Sequence, residues 1–465
     1  MSHKNAMYLA LFSAISGTAM AAPPTEMDAA PVTAAPQAAR LGAATLQSAS
    51  LRGGILPTRV VQLAAPTSTE MSHVRERRIA QVKHGQPLQI GFSRAVTQPL
   101  VNLSKLDWQM AADGSRVASL KVSSAQAASL RASLVLRGVG ATPGDPSKVT
   151  LRFAGNDGRV FAQSGASFTT SGNDIGWSPT VSGEDLLIEL SLPAGLYPEN
   201  FSLSIPQLSH LDISPTASRR DMMTIATGES GSCENDIVCR ANPTSGFTSA
   251  ANAVARMLFT TSEGTFVCTG TLLNNSNSPK RHLFWTAAHC ISTQTVAETL
   301  QTYWFYEAAK CNGKTASLQA TTLTGGAFLR HANTRRDTAL LELKAAPPRG
   351  AFYAAWNSAA IGSTSTSIVG IHHPHGDVKK YSLGTVTALN SSFEGRKPLY
   401  RVVWSDGTTE GGSSGSGLFT VASDGAYQLR GGLLGGFAAC NAQTAPDHYS
   451  RFSDVYSTIS TYFGQ

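Results

Sequence analysis

Charge is scarce in this 465-residue chain, where Asp, Glu, Lys and Arg together make up 14%. A sparsely charged sequence rich in Gly, Ser, Thr and Ala has the composition of an extracellular β-protein, not of a charged helical cytosolic one. Cysteine is missing from the whole first half; all six cysteines lie between Cys233 and Cys440. No two of them stand in Cys-x-x-Cys spacing, which argues against a zinc ribbon or a dithiol redox site. Long apolar runs are lacking as well, and the one near the N-terminus is too short to span a bilayer. The net charge of +7 comes without a Lys/Arg cluster interleaved with aromatics, so no nucleic-acid groove is indicated. From these absences we expect no nucleic-acid partner, no membrane anchor, no metal and no cofactor.

What is present divides the chain into five stretches. Residues 1–21 read as a signal peptide: Lys4 carries positive charge, Met7–Ile15 is apolar, and Ala19-Met20-Ala21 is a cleavage site. The protein is therefore expected to be secreted, exported through the periplasm. Residues 22–74 are Ala- and Pro-rich with little periodicity and read as a flexible leader. Over 75–215, alternating runs at 87–92, 132–137, 148–153 and 186–191 are punctuated by Gly, Pro, Asn and Asp. Period-2 alternation with regular turns predicts a β-sandwich. It holds no cysteine and no catalytic constellation, which fits a pro-domain; an independent module binding carbohydrate or a cell surface is the alternative. Residues 216–227 form a linker, with Arg219-Arg220 as a nick point. From 228 to 465 short strands return, with helical runs only at 249–256 and near 453–463, and a closed all-β barrel architecture fits.

Three motifs in this last stretch carry chemistry. Thr286-Ala287-Ala288-His289-Cys290 comes first, then Asp337-Thr338-Ala339-Leu340-Leu341, then Glu410-Gly411-Gly412-Ser413-Ser414-Gly415-Ser416-Gly417. Amide hydrolysis at neutral pH needs a nucleophile stronger than water, and a serine hydroxyl serves only when a base takes its proton. His289 is the candidate base, since imidazole titrates near neutral pH. Asp337, at the mouth of an apolar strand, would hold its other nitrogen. The Gly-x-Ser-Gly frame of Gly412–Gly415 picks Ser414 as nucleophile, with the amides of Gly412 and Ser414 as oxyanion donors. The expected activity is that of a serine endopeptidase. The alternative is an idle protease-fold protein kept for binding or adhesion, which would have no need of all three groups. His372, His373 and His375 invite a metal reading, but no matching Cys, Asp or Glu set accompanies them. Asn274-Asn275-Ser276 matches a glycosylation pattern and reads as a surface turn. An even cysteine count in an exported stretch predicts three disulfides, with 15 pairings open.

The segment from 228 resembles the bacterial lysyl endopeptidases, a branch of the chymotrypsin-like serine proteases. The likeness is carried by Ser230-Gly231-Ser232-Cys233, Ile237-Val238-Cys239, Cys268–Asn275, Ile371-His372-His373-Pro374 and the three motifs above. It implies a fold of two six-stranded β-barrels with the active site between them. It also implies the disulfides Cys233–Cys440, Cys239–Cys311 and Cys268–Cys290. An aspartate six residues before the serine marks ordinary trypsin-like specificity, and here that position is Thr408. The family instead uses an acid after the serine, which falls on Asp447 in Asp447-His448-Tyr449-Ser450-Arg451. Asp447 is thus the implied pocket carboxylate for Lys, with Arg as the alternative. Leu433-Leu434-Gly435-Gly436 is the implied substrate-pairing strand. The family carries a histidine where Leu434 stands, one half of a His–Trp pair flanking the site; Phe393 is the nearest aromatic to the missing tryptophan. Partners implied are protein or peptide substrates and the chain's own propeptide as chaperone or inhibitor, with a monomeric mature enzyme.

Overall fold

Alternation of apolar and polar residues lays down strands along most of the chain. In this computed structural model, residues 25–33, 45–47, 56–80, 85–169, 176–212 and 230–465 are described. The signal-peptide stretch and Arg219-Arg220 lie outside them. The four alternating runs fall on the strands Leu88–Ala95, Ser129–Gly138, Thr150–Ala154 and Asp185–Leu192. They build a sandwich. One layer runs, in spatial order, Val160–Ser164, Thr150–Ala154, Asp185–Leu192, Arg116–Ser124 and Thr58–Leu63. The other runs Leu88–Ala95, Gln207–Leu211, Ser129–Gly138, Phe201–Ser204 and Leu100–Val101. Leu120, Val122, Leu134, Leu136, Phe153 and Ile188 fill the space between. Each such side chain contributes about 1.5–3 kcal/mol by leaving water.

The remainder is two barrels. In the first, the strand order is Thr321–Leu323, Gln301–Trp304, Val254–Thr261, Gly264–Leu272, Leu283–Thr286, Thr338–Leu343 and Ala327–Asn333. The second runs Tyr427–Gly436, Gly417–Val421, Ser367–His372, Lys380–Phe393, Arg396–Asp406 and Asp447–Arg451. The last of these returns to pair with the first, so six strands close on themselves. Closure leaves no unpaired edge for misassembly. The protein is all-β, with a chymotrypsin-like pair of barrels preceded by a sandwich. Helices are few: Ser245–Ala253 is capped by the Thr244 hydroxyl accepting from Phe247 N, four residues earlier than the sequence pattern placed it. Among the described residues no helix is long and apolar enough to cross a membrane.

The sandwich does not stand apart. The start of its strand Leu88–Ala95 pairs with Val267, Phe266, Thr265 and Gly264 of the first barrel, making one continuous sheet of 14 strands. Arg131, from the sandwich, crosses this junction. It is fully buried and donates to Ser178 O (2.8 Å), Thr260 Oγ1 (2.8 Å) and Thr299 O (3.0 Å).

Two expectations need correction. The flexible leader of 22–74 is, in its described parts, structured. Thr58–Leu63 is a strand, and Ser68–Ala80 is a helix. That helix opens with a capping box, in which Glu70 Oε2 accepts from Thr67 N and Thr67 Oγ1 accepts from Glu70 N. The Thr-x-x-Glu spacing was present in the sequence; compositional bias masked it. Glu26–Met27 and Ala30–Pro31 pair onto the barrels through main-chain hydrogen bonds, which side-chain periodicity does not report. Likewise Asn274 and Asn275 are buried rather than a surface turn. Their side chains satisfy backbone carbonyls, Asn275 Nδ2 reaching Arg281 O and Asn274 Nδ2 reaching Asp28 O.

Candidate active site

Three segments far apart in sequence converge where the barrels meet. His289 follows the strand Leu283–Thr286, and Asp337 immediately precedes Thr338–Leu343. These strands are neighbours, with Thr286 opposite Ala339. Strand pairing thus delivers the two side chains to the same end of the sheet. Asp337 is completely buried and adopts a left-handed φ of 54°, a conformation that costs a non-glycine residue. What it gains is two bonds from one residue: its Oδ1 accepts from His289 N at 2.8 Å and its Oδ2 from Nδ1 at 2.7 Å. With Nδ1–H committed to the carboxylate, the lone pair of the neutral ring sits on Nε2. Nε2 is buried and has no hydrogen-bond partner among the described residues.

The Ser414 loop comes from the other barrel and is pressed against the His289 segment. Thr269 N donates to Ser414 O at 2.8 Å, and Cys290 Sγ lies 3.9 Å from the same oxygen. Gly415 has φ 80°. A β-carbon there would meet Thr269 O at 2.6 Å and Ala287 N at 2.8 Å, so only glycine lets the loop come this close. Around Ser414 most of the amides find acceptors within the loop and its neighbouring strand. Ser413 N donates to Glu410 O, Gly415 N to Leu433 O and Ser416 N to Ser413 O. Among the described residues the amides of Gly412 and Ser414 have no protein acceptor. The Cys268–Cys290 bridge sits behind this arrangement; Cys233 pairs with Cys440 and Cys239 with Cys311.

Several residues outside the three motifs hold the loop. His372, buried, bonds Ser413 Oγ through Nδ1 (2.8 Å) and Ser382 Oγ through Nε2 (3.0 Å). The neighbouring His373 bonds Asp377 O through Nδ1, and burial together with the Lys379 charge holds its pKa well below the ordinary value. His375 lies 3.7 Å from Glu410. The three histidines thus turn to three different partners. Glu410 is turned to the chain near Cys233, both its oxygens accepting from Gly231 N at 3.1 Å. Leu433 braces the loop with its backbone, donating to Ser416 O at 3.0 Å and accepting from Gly415 N at 2.8 Å.

Asp447 lies at the base of the neighbouring strand, fully buried and paired across to Gly436. Its Oδ2 accepts from Trp404 Nε1 (2.8 Å) and Thr409 Oγ1 (2.7 Å). A β-carbon on Gly436 would run into its Oδ1. The strand residue beside the carboxylate must therefore be glycine. Trp404 and Thr409 escaped the sequence reading because no motif spacing marks them; only the fold brings them to Asp447. Thr408 is buried and its carbonyl accepts from Ser382 Oγ. Phe393 stacks flat on His448, with ring centroids 4.7 Å apart and planes 4° apart, and meets Phe437 edge-on. A histidine–aromatic stack is thus present beside Asp447, built from His448 and not from the Leu434 position. Burial lowers the His448 pKa, which favours the neutral ring.

Comparison with known proteins covers both halves of the chain. Residues 62–212 match the family model described as lysyl endopeptidase N-terminal domain, and residues 227–450 match that described as lysyl endopeptidase, C-terminal domain. A relative named lysyl endopeptidase, from Pseudomonas aeruginosa, is 45% identical over 429 residues, spanning 90% of this chain and 88% of the relative. Among solved structures, protease Anisep from Arthrobacter nicotinovorans is 16% identical with a TM-score of 0.33, over 47% of this chain and 98% of its own. The Rv3671c protease from M. tuberculosis is 16% identical with a TM-score of 0.32, over 48% of this chain and 88% of its own.

Proposed function

The chain belongs to the lysyl endopeptidase family and is a serine endopeptidase, and on that premise we propose that it is secreted as a precursor and cuts peptide bonds after Lys, with Arg as the alternative. The observation that carries this reading is the pairing of an orienting carboxylate on His289 with a buried second carboxylate, Asp447, beside the same loop.

The chemistry proceeds as follows. Ser414 Oγ attacks the carbonyl carbon of the cut bond, and His289 Nε2 takes its proton. Asp337 holds the ring and stabilises the imidazolium. Negative charge collects on the carbonyl oxygen, where the amides of Gly412 and Ser414 accept it as hydrogen-bond donors; each such donor is worth about 3–4 kcal/mol of barrier. The C–N bond breaks, and His289 returns the proton to the leaving amine. Water then attacks the acyl-serine with His289 again as base, releasing the acid and restoring Ser414. Since Leu433 has its backbone engaged with the loop, pairing with the substrate main chain falls to the rest of the stretch, Leu434-Gly435-Gly436. Asp447 receives the cationic side chain of the residue before the cut. An anion this buried gains strongly from a cation that reaches it.

Residues 75–215 act as the propeptide, with 216–227 as the maturation linker and 228–465 as the monomeric mature enzyme. Sheet continuity through Leu88–Ala95 supports a chaperone role, and the approach to that strand supports inhibition. A β-carbon at Gly85 would meet Leu434 Cδ1 at 2.9 Å, while the Leu88 side chain lies 3.6 Å from the same position on Gly411. The propeptide thus runs along the substrate-pairing residues. The test uses matched Lys and Arg peptide amides with the processed protein and with Ser414→Ala. Turnover of the Lys amide that disappears in Ser414→Ala is the expected result. Equal turnover by the variant, or cleavage after acidic or aromatic residues alone, would overturn it.

A further inference from the structure

Residues 25–33 form a structured clip on the barrels, remote in sequence from everything they touch. Glu26 and Met27 pair antiparallel with Asn357 and Trp356, and Ala30 and Pro31 with Tyr353 and Phe352. Main-chain bonds close both ends: Ser358 N donates to Thr25 O and Val32 N to Ala351 O, each at 2.9 Å. Side chains add to them. Thr25 Oγ1 reaches Tyr456 Oη (2.7 Å), Asn274 Nδ2 donates to Asp28 O (2.7 Å), and Gln428 Nε2 and Asn357 Nδ2 both donate to Glu26 Oε2 at 2.9 Å. Val32 is buried in the core of the first barrel with Met257, Phe259 and Tyr353. Met27 packs on the core that the two barrels share, with Trp356 and Phe452.

The receiving residues, 351–358, belong to the connection between the barrels, after the strand that ends at Leu343 and before the one that begins at Ser367. The clip therefore lies along the seam, with one apolar anchor, Val32, in the first barrel and the other, Met27, in the core the barrels share. None of its partners is His289, Asp337, Ser414 or Asp447.

We propose that residues 25–33 are a docking segment for this seam, so that the N-terminal region grips the protease domain at two separate points. The first point is the pairing of Leu88–Ala95 with Gly264–Val267; the second is the clip. This rests on the reading that the chain is cut in the linker. Once cut, the N-terminal piece becomes a bivalent ligand, and each contact raises the effective concentration of the other, which multiplies retention by about 10²–10⁴ without any new contact. The mode is strand addition, in which backbone bonds supply affinity and the pockets for Met27 and Val32 supply selectivity. Pro31, which lacks a donor, is tolerated on such an edge.

The test uses the full chain with Ser414→Ala, nicked in the linker by a trace of active enzyme or trypsin. Release of the N-terminal piece after dilution is followed for the parent and for Met27→Asp/Val32→Asp. We expect release at least tenfold faster from the double variant; equal rates overturn the proposal. Should the double variant not fold, Val32→Ala takes its place. In a second measurement, a fluorescent peptide of residues 25–33 is titrated onto each un-nicked protein. It should saturate the variant, whose seam is vacated, and not the parent, whose own segment fills it. Binding to both alike, or to neither at about 1 mM, the weak end of specific association, overturns the proposal. Hydrolysis of a Lys peptide amide by the wild-type enzyme is read separately. Its absence would count against the protease reading and leave the docking result standing.

Discussion

Asp447→Asn removes a charge while keeping the shape, and the surroundings of Asp447 fix what the new amide must do. Trp404 Nε1 and Thr409 Oγ1 both donate to Oδ2. The asparagine must therefore put its carbonyl oxygen there. Its NH2 then takes the place of Oδ1, beside Gly436. A substrate ammonium arriving at that spot would meet a donor instead of an anion. Truncating one partner of a buried, hydrogen-bonded charge pair costs about 3–5 kcal/mol, or about 150- to 5,000-fold in kcat/KM for a Lys substrate. A norleucine substrate of similar length lacks the charge, and its kcat/KM should hold or rise. The assay is steady-state hydrolysis of paired Lys and norleucine peptide amides by parent and variant, with active sites titrated. A fall of less than about threefold for Lys, or an equal fall for both substrates, would refute the assignment of Asp447 to the pocket.

Three further outcomes follow from the same geometry. Asp337→Asn should leave the fold intact but lower kcat by about 10³–10⁴, because the amide presents the wrong partner to Nδ1; steady-state kinetics on refolded variant checks this. Arg131→Ala leaves Thr260 and Thr299 without their buried donor and, at about 1–3 kcal/mol for each unsatisfied acceptor, should destabilise the Ser414→Ala precursor by about 2–6 kcal/mol in urea unfolding. His210, buried in the sandwich with Nδ1 on Ser124 Oγ at 2.9 Å, has its pKa lowered from 6.5 to about 4 by burial and by Arg94. The neutral ring is the folded form, so its contribution is whole above about pH 6.5 and is lost as pH falls through about 4. The loss approaches 3 kcal/mol, on the order of what a shift of this size carries, and His210→Gln should flatten the precursor's stability between pH 6.5 and 4 in urea titrations.

Much of this was legible in the chain itself. The alternating runs announced strands because a half-buried sheet needs period 2, and no tertiary information is required to see it. His289, Asp337 and the Gly412–Gly415 frame were legible because their chemistry demands particular residue types in particular local settings. The disulfide pairing was not readable from spacing alone; it came with the likeness to a family.

What stayed hidden has one physical cause: bonds made by the main chain, or by residues brought together from afar, leave no local pattern. The clip of residues 25–33 binds chiefly through backbone groups that every sequence possesses, so Thr25–Thr33 looked like an Ala/Pro leader. Trp404 and Thr409 serve Asp447 across strands separated by some forty positions in the chain. Arg131 is an ordinary strand arginine until a second sheet closes over it. The sequence alone determined which chemistry the chain could perform and that it would perform it on strands. Only the tertiary structure decided how Asp447 is held, which glycines had to be bare to let the loop and the carboxylate approach, and that the N-terminal region holds the barrels at two points. Those are matters of distance, and distance between remote residues is set by packing.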